Sequence, residues 1–198
     1  HPQLSLLQAL FVQIDNTGLD TQVAERLALV QQERAEVSQA FFAQQADRFE
    51  ASQELIASYP QYAEAAEDLL AKLQLPAKQL AIEIGPGEGE FLLPLSQHFE
   101  QVVALDNSAA MLDKARNTAA NKDNIEFIQA ELEQIIQRGP VADCIVMNMV
   151  LHHIPSPAEI FKQSSQLLKT GGALLMTELC HHDQQWARES CGDLWLGF

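Results

Sequence analysis

The chain is short of positive charge. Its 198 residues hold 12 Lys and Arg against 27 Asp and Glu, a formal net charge of −15. Phosphate contacts need Lys and Arg, so this polypeptide is not built to grip nucleic acid by itself. The acidity mainly aids solubility. Three cysteines, Cys144, Cys180 and Cys191, do not make a disulfide framework. No apolar run approaches the roughly 20 residues of a membrane span, and no signal peptide is visible. Low-complexity tracts are missing too. These absences predict a cytoplasmic globular protein. The length of 198 residues suits one α/β domain plus a helical appendage, and the apolar share of 47% marks a globular chain.

What is there begins with Leu80-Ala81-Ile82-Glu83-Ile84-Gly85-Pro86-Gly87-Glu88-Gly89-Glu90-Phe91. An apolar, β-branched run meets three glycines at alternate positions. A helix-forming stretch, residues 90–99, follows. This predicts strand, tight turn and helix, the opening of a nucleotide-binding α/β unit. Glycines let the backbone turn sharply and let a ligand come close. The following helix aims its free N–H groups at the turn. The spacing departs from the dinucleotide fingerprint G-x-G-x-x-G, because position 90 is Glu90. An ordinary tight βα turn is the plainer alternative.

Gln101-Val102-Val103-Ala104-Leu105 is a second short strand ending in Asp106, 17 residues after Gly89. Nucleoside-binding α/β folds place a carboxylate there to accept hydrogen bonds from both ribose hydroxyls. An Asp in that place also serves as a turn residue or helix cap. Asn107 or Ser108 caps the next helix, expected to run to about residue 120. Residues 124–131 predict a third strand ending at Ala130 and Glu131. Residues 142–154 predict a fourth strand and the loop beyond its C-terminal edge. Ser156-Pro157-Ala158-Glu159 predicts a capping box with Pro in the first turn. The helix it opens is expected to stop at Lys169-Thr170-Gly171-Gly172, before a fifth strand over 173–178.

The pattern Glu-x-Gly-x-Gly-x-Gly from Glu83 resembles motif I of the class I S-adenosylmethionine-dependent methyltransferases. Asp-x-Ser-x-x-Met-Leu from Asp106, Leu151-His152-His153 before Ile154-Pro155, and Leu167-Leu168-Lys169-x-Gly171-Gly172 resemble segments of the ubiquinone/menaquinone-type members. The tail from His182-Asp183-Gln184 to Cys191-Gly192-Asp193-Leu194-Trp195-Leu196-Gly197-Phe198 resembles the methyltransferase domain of ArsR-type transcriptional regulators. There it is fused behind a winged-helix DNA-binding domain. The resemblance covers about residues 42–198.

It implies a Rossmann-like class I methyltransferase sheet with an N-terminal helical extension. Five parallel strands are expected, with the family's C-terminal antiparallel hairpin missing. It implies S-adenosylmethionine as cofactor, held by Glu83, Gly85, Gly87, Gly89, Asp106, Asn107, Met111, Ala130, Glu131 and Asn148. Met111 would lie against the adenine, and Glu131 would accept from its amino group, where the family usually has Gly-Asp. The implied activity is methyl transfer to an unknown small-molecule acceptor, within a larger regulator of which this chain is a fragment. DNA would then be bound only through a winged helix outside the chain. The alternative is a non-catalytic S-adenosylmethionine or effector sensor for such a regulator. A nicotinamide-binding domain would share Asp106, but the glycine spacing and Leu-His-His count against it.

The expected organisation is a helical linker and lid over residues 1–50, then the methyltransferase domain over 51–198. Leu4, Leu7, Phe11 and Ile14, then Val23, Leu27, Val30, Val37 and Phe41, form apolar stripes across a break at Asn16-Thr17-Gly18. Such stripes pack on the chain's own core or pair two chains as a homodimer. Phe42, Ala46 and Phe49 resemble the aromatic helix that lids the cofactor. No catalytic residue is assigned. His152 and His153 are the base candidates, and at least one is expected to be structural. No metal is expected. Cys180, His181, His182 and Cys191 offer soft-metal ligands at irregular spacing, against the plainer reading of a polar loop over the pocket.

Overall fold

The computed structural model describes residues 17–45, 57–137, 139 and 141–198. By compactness the chain divides into residues 1–33 and 34–198. The expected boundary at 50/51 lies outside the described residues, as do Leu4, Leu7, Phe11, Ile14, Ala46 and Phe49.

Helix α1 (Thr21–Gln45) begins in the first unit behind Asp20, and its residues from 34 on belong to the second. The Gln22 amide donates to Asp20 Oδ1 at 2.9 Å, satisfying one of the orphan donors of the first turn. Val23, Leu27 and Val30 are all exposed on this stretch.

The second unit is a five-stranded sheet in the order β3-β2-β1-β4-β5. Its strands are β1 (Leu80–Ile84), β2 (Gln101–Asp106), β3 (Ile125–Gln129), β4 (Ala142–Asn148) and β5 (Leu168–Thr177), paired in parallel throughout. The crossovers are α3 (Leu92–His98), α4 (Ala109–Thr118), α5 (Leu132–Ile136) and α6 (Pro157–Leu167). Helix α2 (Tyr59–Lys72) precedes β1, and α7 (Trp186–Ser190) lies in the tail.

β1, β2 and β4 read as near-continuous apolar runs because helices cover both faces of a parallel sheet. Their side chains alternate between two cores. Ala81, Val102, Ala104, Cys144 and Val146 meet Leu92, Leu95, Leu112 and Leu70 on one face. Ile82, Ile84, Val103, Leu105, Ile145 and Met147 meet Leu132, Ile135, Ile160 and Leu167 on the other. Cys144 is thus a small core residue.

Two boundaries differ from expectation. The Ser156 side chain makes no cap hydrogen bond; Glu159 instead reaches forward to Lys162, so no capping box forms. Lys169–Gly172 does not separate helix from strand, since β5 already starts at Leu168. The pairing of β4 with β5 shifts register between Ala142 and Cys144, and this lets the glycines lie within the strand. Asp143 sits at that irregularity. Its Oδ2 accepts the Gln79 and Leu80 amides at 2.8 and 2.9 Å, and Lys169 Nζ donates to Oδ1 at 3.0 Å. Desolvation opposes its charge, but these donors hold its carboxyl below the usual range.

Among the described residues, no helix is long and apolar enough to cross a membrane.

Candidate functional site

The strand order reverses between β1 and β4, so the helices leave the sheet in opposite directions there. In open parallel sheets a crevice forms at such a switch point, outside the carboxyl ends of the strands. Here it is a cleft of about 380 Å³. Glu83, Gly85, Gly87, Asp106, Asn107, Met111, Ala130, Glu131 and Asn148 all line it. Gly89, the remaining residue of the expected set, is not among the lining residues.

Two of the three glycines have clearly different roles. Gly87 has φ +56°, and a Cβ there would meet nothing within 4 Å, so its backbone faces the open cleft. At Gly89 (φ +85°) a Cβ would stand 2.7 Å from the Ala115 Cα and 2.8 Å from its carbonyl oxygen. Gly89 therefore lets α4 pack against the turn rather than a ligand enter it. The turn is closed by the Gly89 amide donating to Pro86 O at 2.8 Å.

Glu83 lies near the end of β1 with 1% of its surface exposed. Asn148 Nδ2 approaches Glu83 Oε1 at 3.4 Å. Asn148 is oriented for this by Thr177, whose hydroxyl donates to its Oδ1 at 2.9 Å. The other Glu83 oxygen, Oε2, has no hydrogen-bond partner. Burial pushes the Glu83 carboxyl up to about 8, against the smaller pull of Asn148.

Asp106 ends β2, and its Oδ1 accepts the Ser108 amide at 2.8 Å. It is therefore the turn residue that its position also allowed, while still facing the cleft. Desolvation raises its carboxyl to about 6, opposed by the Ser108 amide and reinforced by nearby Glu131. Ser108 rather than Asn107 caps α4, its Oγ accepting the Met111 amide at 3.4 Å. The Asn107 side chain turns to β3 instead, where its Nδ2 donates to Glu131 Oε1 at 2.8 Å. The Glu131 amide donates to Gln134 Oε1 at 2.9 Å, fixing the Ala130-Glu131 turn past β3.

Sequence reasoning missed several wall residues. Tyr59 and Tyr62, one helical turn apart on α2, line the cleft with rings edge to face at 5.5 Å. Ser58-Tyr59-Pro60 carried a signal for the start of that helix, with Pro in the first turn. Val150 also lines the cleft, and its Cγ2 would lie 2.8 Å from a Cβ at Gly85. Met149, just before Val150, holds φ +56°, a left-handed conformation that non-glycine residues adopt at some cost. Its amide donates to Thr177 O at 2.9 Å, which pins the turn leaving β4.

The two histidines separate. His153 lines the cleft, in edge contact with Phe42 at 4.9 Å. Burial, helped by neighbouring His152, lowers its pKa well below the ordinary value, so the ring is neutral at pH 7. His152 is buried and does not line the cleft. Its Nδ1 meets Glu178 Oε1 at 2.5 Å. Cys180 is exposed and Cys191 buried, and the Cys180, His181, His182, Cys191 set does not converge. Among the described residues, the one group of three or more metal-type ligands brought together is His152, His153 and Asp193.

Residues 58–197 match the sequence model of a family described as a methyltransferase domain. The chain is 30% identical over 104 residues to a tRNA 5-carboxymethoxyuridine methyltransferase of Escherichia coli (strain K12), covering 50% of this chain and 40% of that protein. It is 32% identical over 101 residues to a malonyl-[acyl-carrier protein] O-methyltransferase of Halalkalibacterium halodurans, covering 48% of this chain and 37% of that protein. It thus spans well under half of these relatives' length. In fold it resembles a phosphoethanolamine N-methyltransferase of Haemonchus contortus, solved with phosphoethanolamine and S-adenosylhomocysteine. The TM-score is 0.60 at 17% identity, over 76% of this chain and 33% of that one.

Proposed function

The chain belongs to the methyltransferase-domain family, and we propose that it binds S-adenosylmethionine in the switch-point cleft and passes the methyl group to a small-molecule acceptor. One observation carries this reading. Glu83, Asp106 and Glu131 stand at the carboxyl ends of three neighbouring strands and face a single cleft floored by Gly85 and Gly87.

That set fits the cofactor group by group. S-adenosylmethionine supplies a methyl group on a positively charged sulfur, already activated toward in-line displacement. Asp106 suits the two ribose hydroxyls, since a carboxylate accepts from both at once. Glu131, steadied by Asn107, suits the exocyclic amino group of an adenine, with Met111 against the ring face. Glu83 holds a buried oxygen with no partner. A cation placed beside it satisfies that atom and favours its ionised form. Gly87 leaves backbone, not side chain, beside the methionine part. The work of this chain is then to bind, align and exclude water. Tyr59, Tyr62, Phe42 and Ile154 supply the apolar wall that keeps water out.

The two relatives are named for a tRNA base and for a carrier-bound malonyl group. The acidic chain favours a small acceptor over nucleic acid. The Cys191–Phe198 tail supports the finer reading, a domain of an ArsR-type regulator. In that setting the cleft either methylates an effector or only senses the cofactor. The exposed stripe of Val23, Leu27 and Val30 supports pairing of two chains.

Isothermal calorimetry tests the reading. S-adenosylmethionine and S-adenosylhomocysteine should bind, and NAD should not. NAD binding with neither of the others would overturn it. Turnover of any acceptor separates enzyme from sensor.

A further inference from the structure

Behind the cleft wall lies a buried cluster that the cofactor reading leaves unused. His152 and His153 form the 3-10 turn after β4, Glu178 follows β5, and Asp193 comes from the tail. The side chains of His152, His153 and Asp193 are 2%, 8% and 0% exposed.

Glu178 fixes the proton of the first ring. His152 Nδ1 sits 2.5 Å from Glu178 Oε1, and the His152 amide donates to Glu178 Oε2 at 3.2 Å. A carboxylate on Nδ1 holds the ring proton there and leaves the lone pair on Nε2. That lone pair faces Asp193 Oδ1 at 3.9 Å. His153 Nδ1 approaches the same oxygen, also at 3.9 Å. Neither oxygen of Asp193 has a hydrogen-bond partner. So a buried carboxylate faces an imidazole lone pair with nothing donated between them. A single proton does not bridge the gap, since 3.9 Å lies beyond hydrogen-bond reach. A metal ion does. Imidazole nitrogen and carboxylate oxygen, each about 2.0–2.2 Å from one tetrahedral ion, stand roughly 3.3–3.6 Å apart, so a closure of a few tenths of an ångström brings the pair onto a metal.

We infer that His152 Nε2, His153 Nδ1 and Asp193 form a binding site for one divalent transition-metal ion of the zinc class. Two imidazoles and one carboxylate are the donor set such ions take, and Ca²⁺ and Mg²⁺, which prefer all-oxygen shells, do not suit it. Glu178 is the outer carboxylate that orients a metal-binding histidine. His153 Nδ1 donates to the Gly192 carbonyl oxygen at 3.2 Å in this structure, so metal binding replaces this hydrogen bond. When His153 binds through Nδ1, its ring proton resides on Nε2. The ion joins the turn after β4 to the tail. The Leu194 and Trp195 amides already donate to His152 O, at 2.9 and 3.1 Å, and Trp195 Nε1 donates to Ile154 O at 2.7 Å. Because His153 also lines the cleft, the ion holds one of its walls in place.

Cobalt(II) is the probe, added to the 198-residue chain after EDTA treatment and desalting. The expected result is one equivalent bound, visible d–d bands of a low-coordinate ion, displacement by one equivalent of Zn(II), and a higher melting temperature with metal. Asp193→Asn keeps the shape and removes the charge, and it should weaken Co(II) binding at least tenfold. Cys180→Ser with Cys191→Ser should leave the bands unchanged. Absence of Co(II) and Zn(II) binding to the wild-type chain overturns the site, as does undiminished affinity in a folded Asp193→Asn protein. A thiolate charge-transfer band lost in the double serine variant also overturns it, in favour of the cysteines. If Asp193→Asn does not fold, proton NMR of the wild-type Co(II) form decides. Paramagnetically shifted ring protons of two histidines support the site, and one or none refutes it.

Discussion

The Asp106 carboxylate gives the sharpest test of how the cleft holds its cofactor. The proposed contact is a pair of ribose hydroxyls donating to an ionised carboxyl at the end of β2. Hydrogen bonds to charged groups contribute about 1.5–3 kcal/mol. Asp106→Ala should therefore raise the Kd for S-adenosylhomocysteine roughly 10- to 150-fold, at about 1.4 kcal/mol per decade. The same contact predicts a pH dependence whose sign follows from burial. In the free protein Asp106 titrates near 6, raised by desolvation. The bound hydroxyls favour the ionised form, so binding lowers that value. Affinity is then unaffected by Asp106 well above pH 6 and falls as the pH drops through it. At pH 5 about one free molecule in eleven carries the charge, which weakens binding about tenfold. Calorimetry from pH 8 to 5 on wild type and Asp106→Asn isolates this limb, because every other group is common to both. The ratio of the two Kd values should shrink about tenfold between pH 7 and pH 5. A constant ratio, or wild-type affinity in Asp106→Ala, would refute the contact.

Glu83 titrates near 8 in the free protein and faces a bound cation in the proposed complex, so binding at pH 7 should release close to one proton; Glu83→Gln should abolish most of that release, measured as the dependence of calorimetric heat on buffer ionisation enthalpy. Gly87→Val should abolish cofactor binding with native circular dichroism, because its Cβ projects into the cleft, although the branched residue also strains a left-handed position. Gly89→Ala should instead lower the melting temperature by displacing α4, whose Ala115 leaves no room for the added carbon. If α1 pairs two chains, Leu27→Glu with Val30→Glu should convert a dimer to a monomer in analytical ultracentrifugation, and a wild-type monomer at high concentration would end that idea.

The sheet is readable in the sequence because its signals are local. β1, β2 and β4 are apolar runs closed by Gly85, Asp106 and Asn148, and a parallel sheet buried on both faces needs such runs. β5 departs from expectation at its start. A glycine pair after a helix usually marks the stop, but here the register shift at Asp143 lets Lys169–Gly172 join the strand. Ser156-Pro157-Ala158-Glu159 has the letters of a capping box, yet Lys162 lies within reach of Glu159 and takes its carboxylate.

The site divides along the same line. Glu83, Asp106 and Glu131 are visible because each lies at a strand end, at a spacing set by the βα repeat. Gly89 reads as a ligand residue because spacing alone does not tell a glycine that admits a cofactor from one that admits a helix. Only the Ala115 backbone, 26 residues on, distinguishes them. Tyr59 and Tyr62 reach the cleft from α2, an element whose own pattern says nothing about which strand ends it covers. Asp193 is the extreme case. In sequence it is one polar residue in a tail of many, 40 positions from His153. The chain brings it under the 3-10 turn because Gly192, at φ +77°, leaves room for the Phe41 ring, and because two tail amides donate to His152 O. Motifs along a strand report what lies at its end. A cluster closed by a returning tail is reported only by the contacts that bring the tail back.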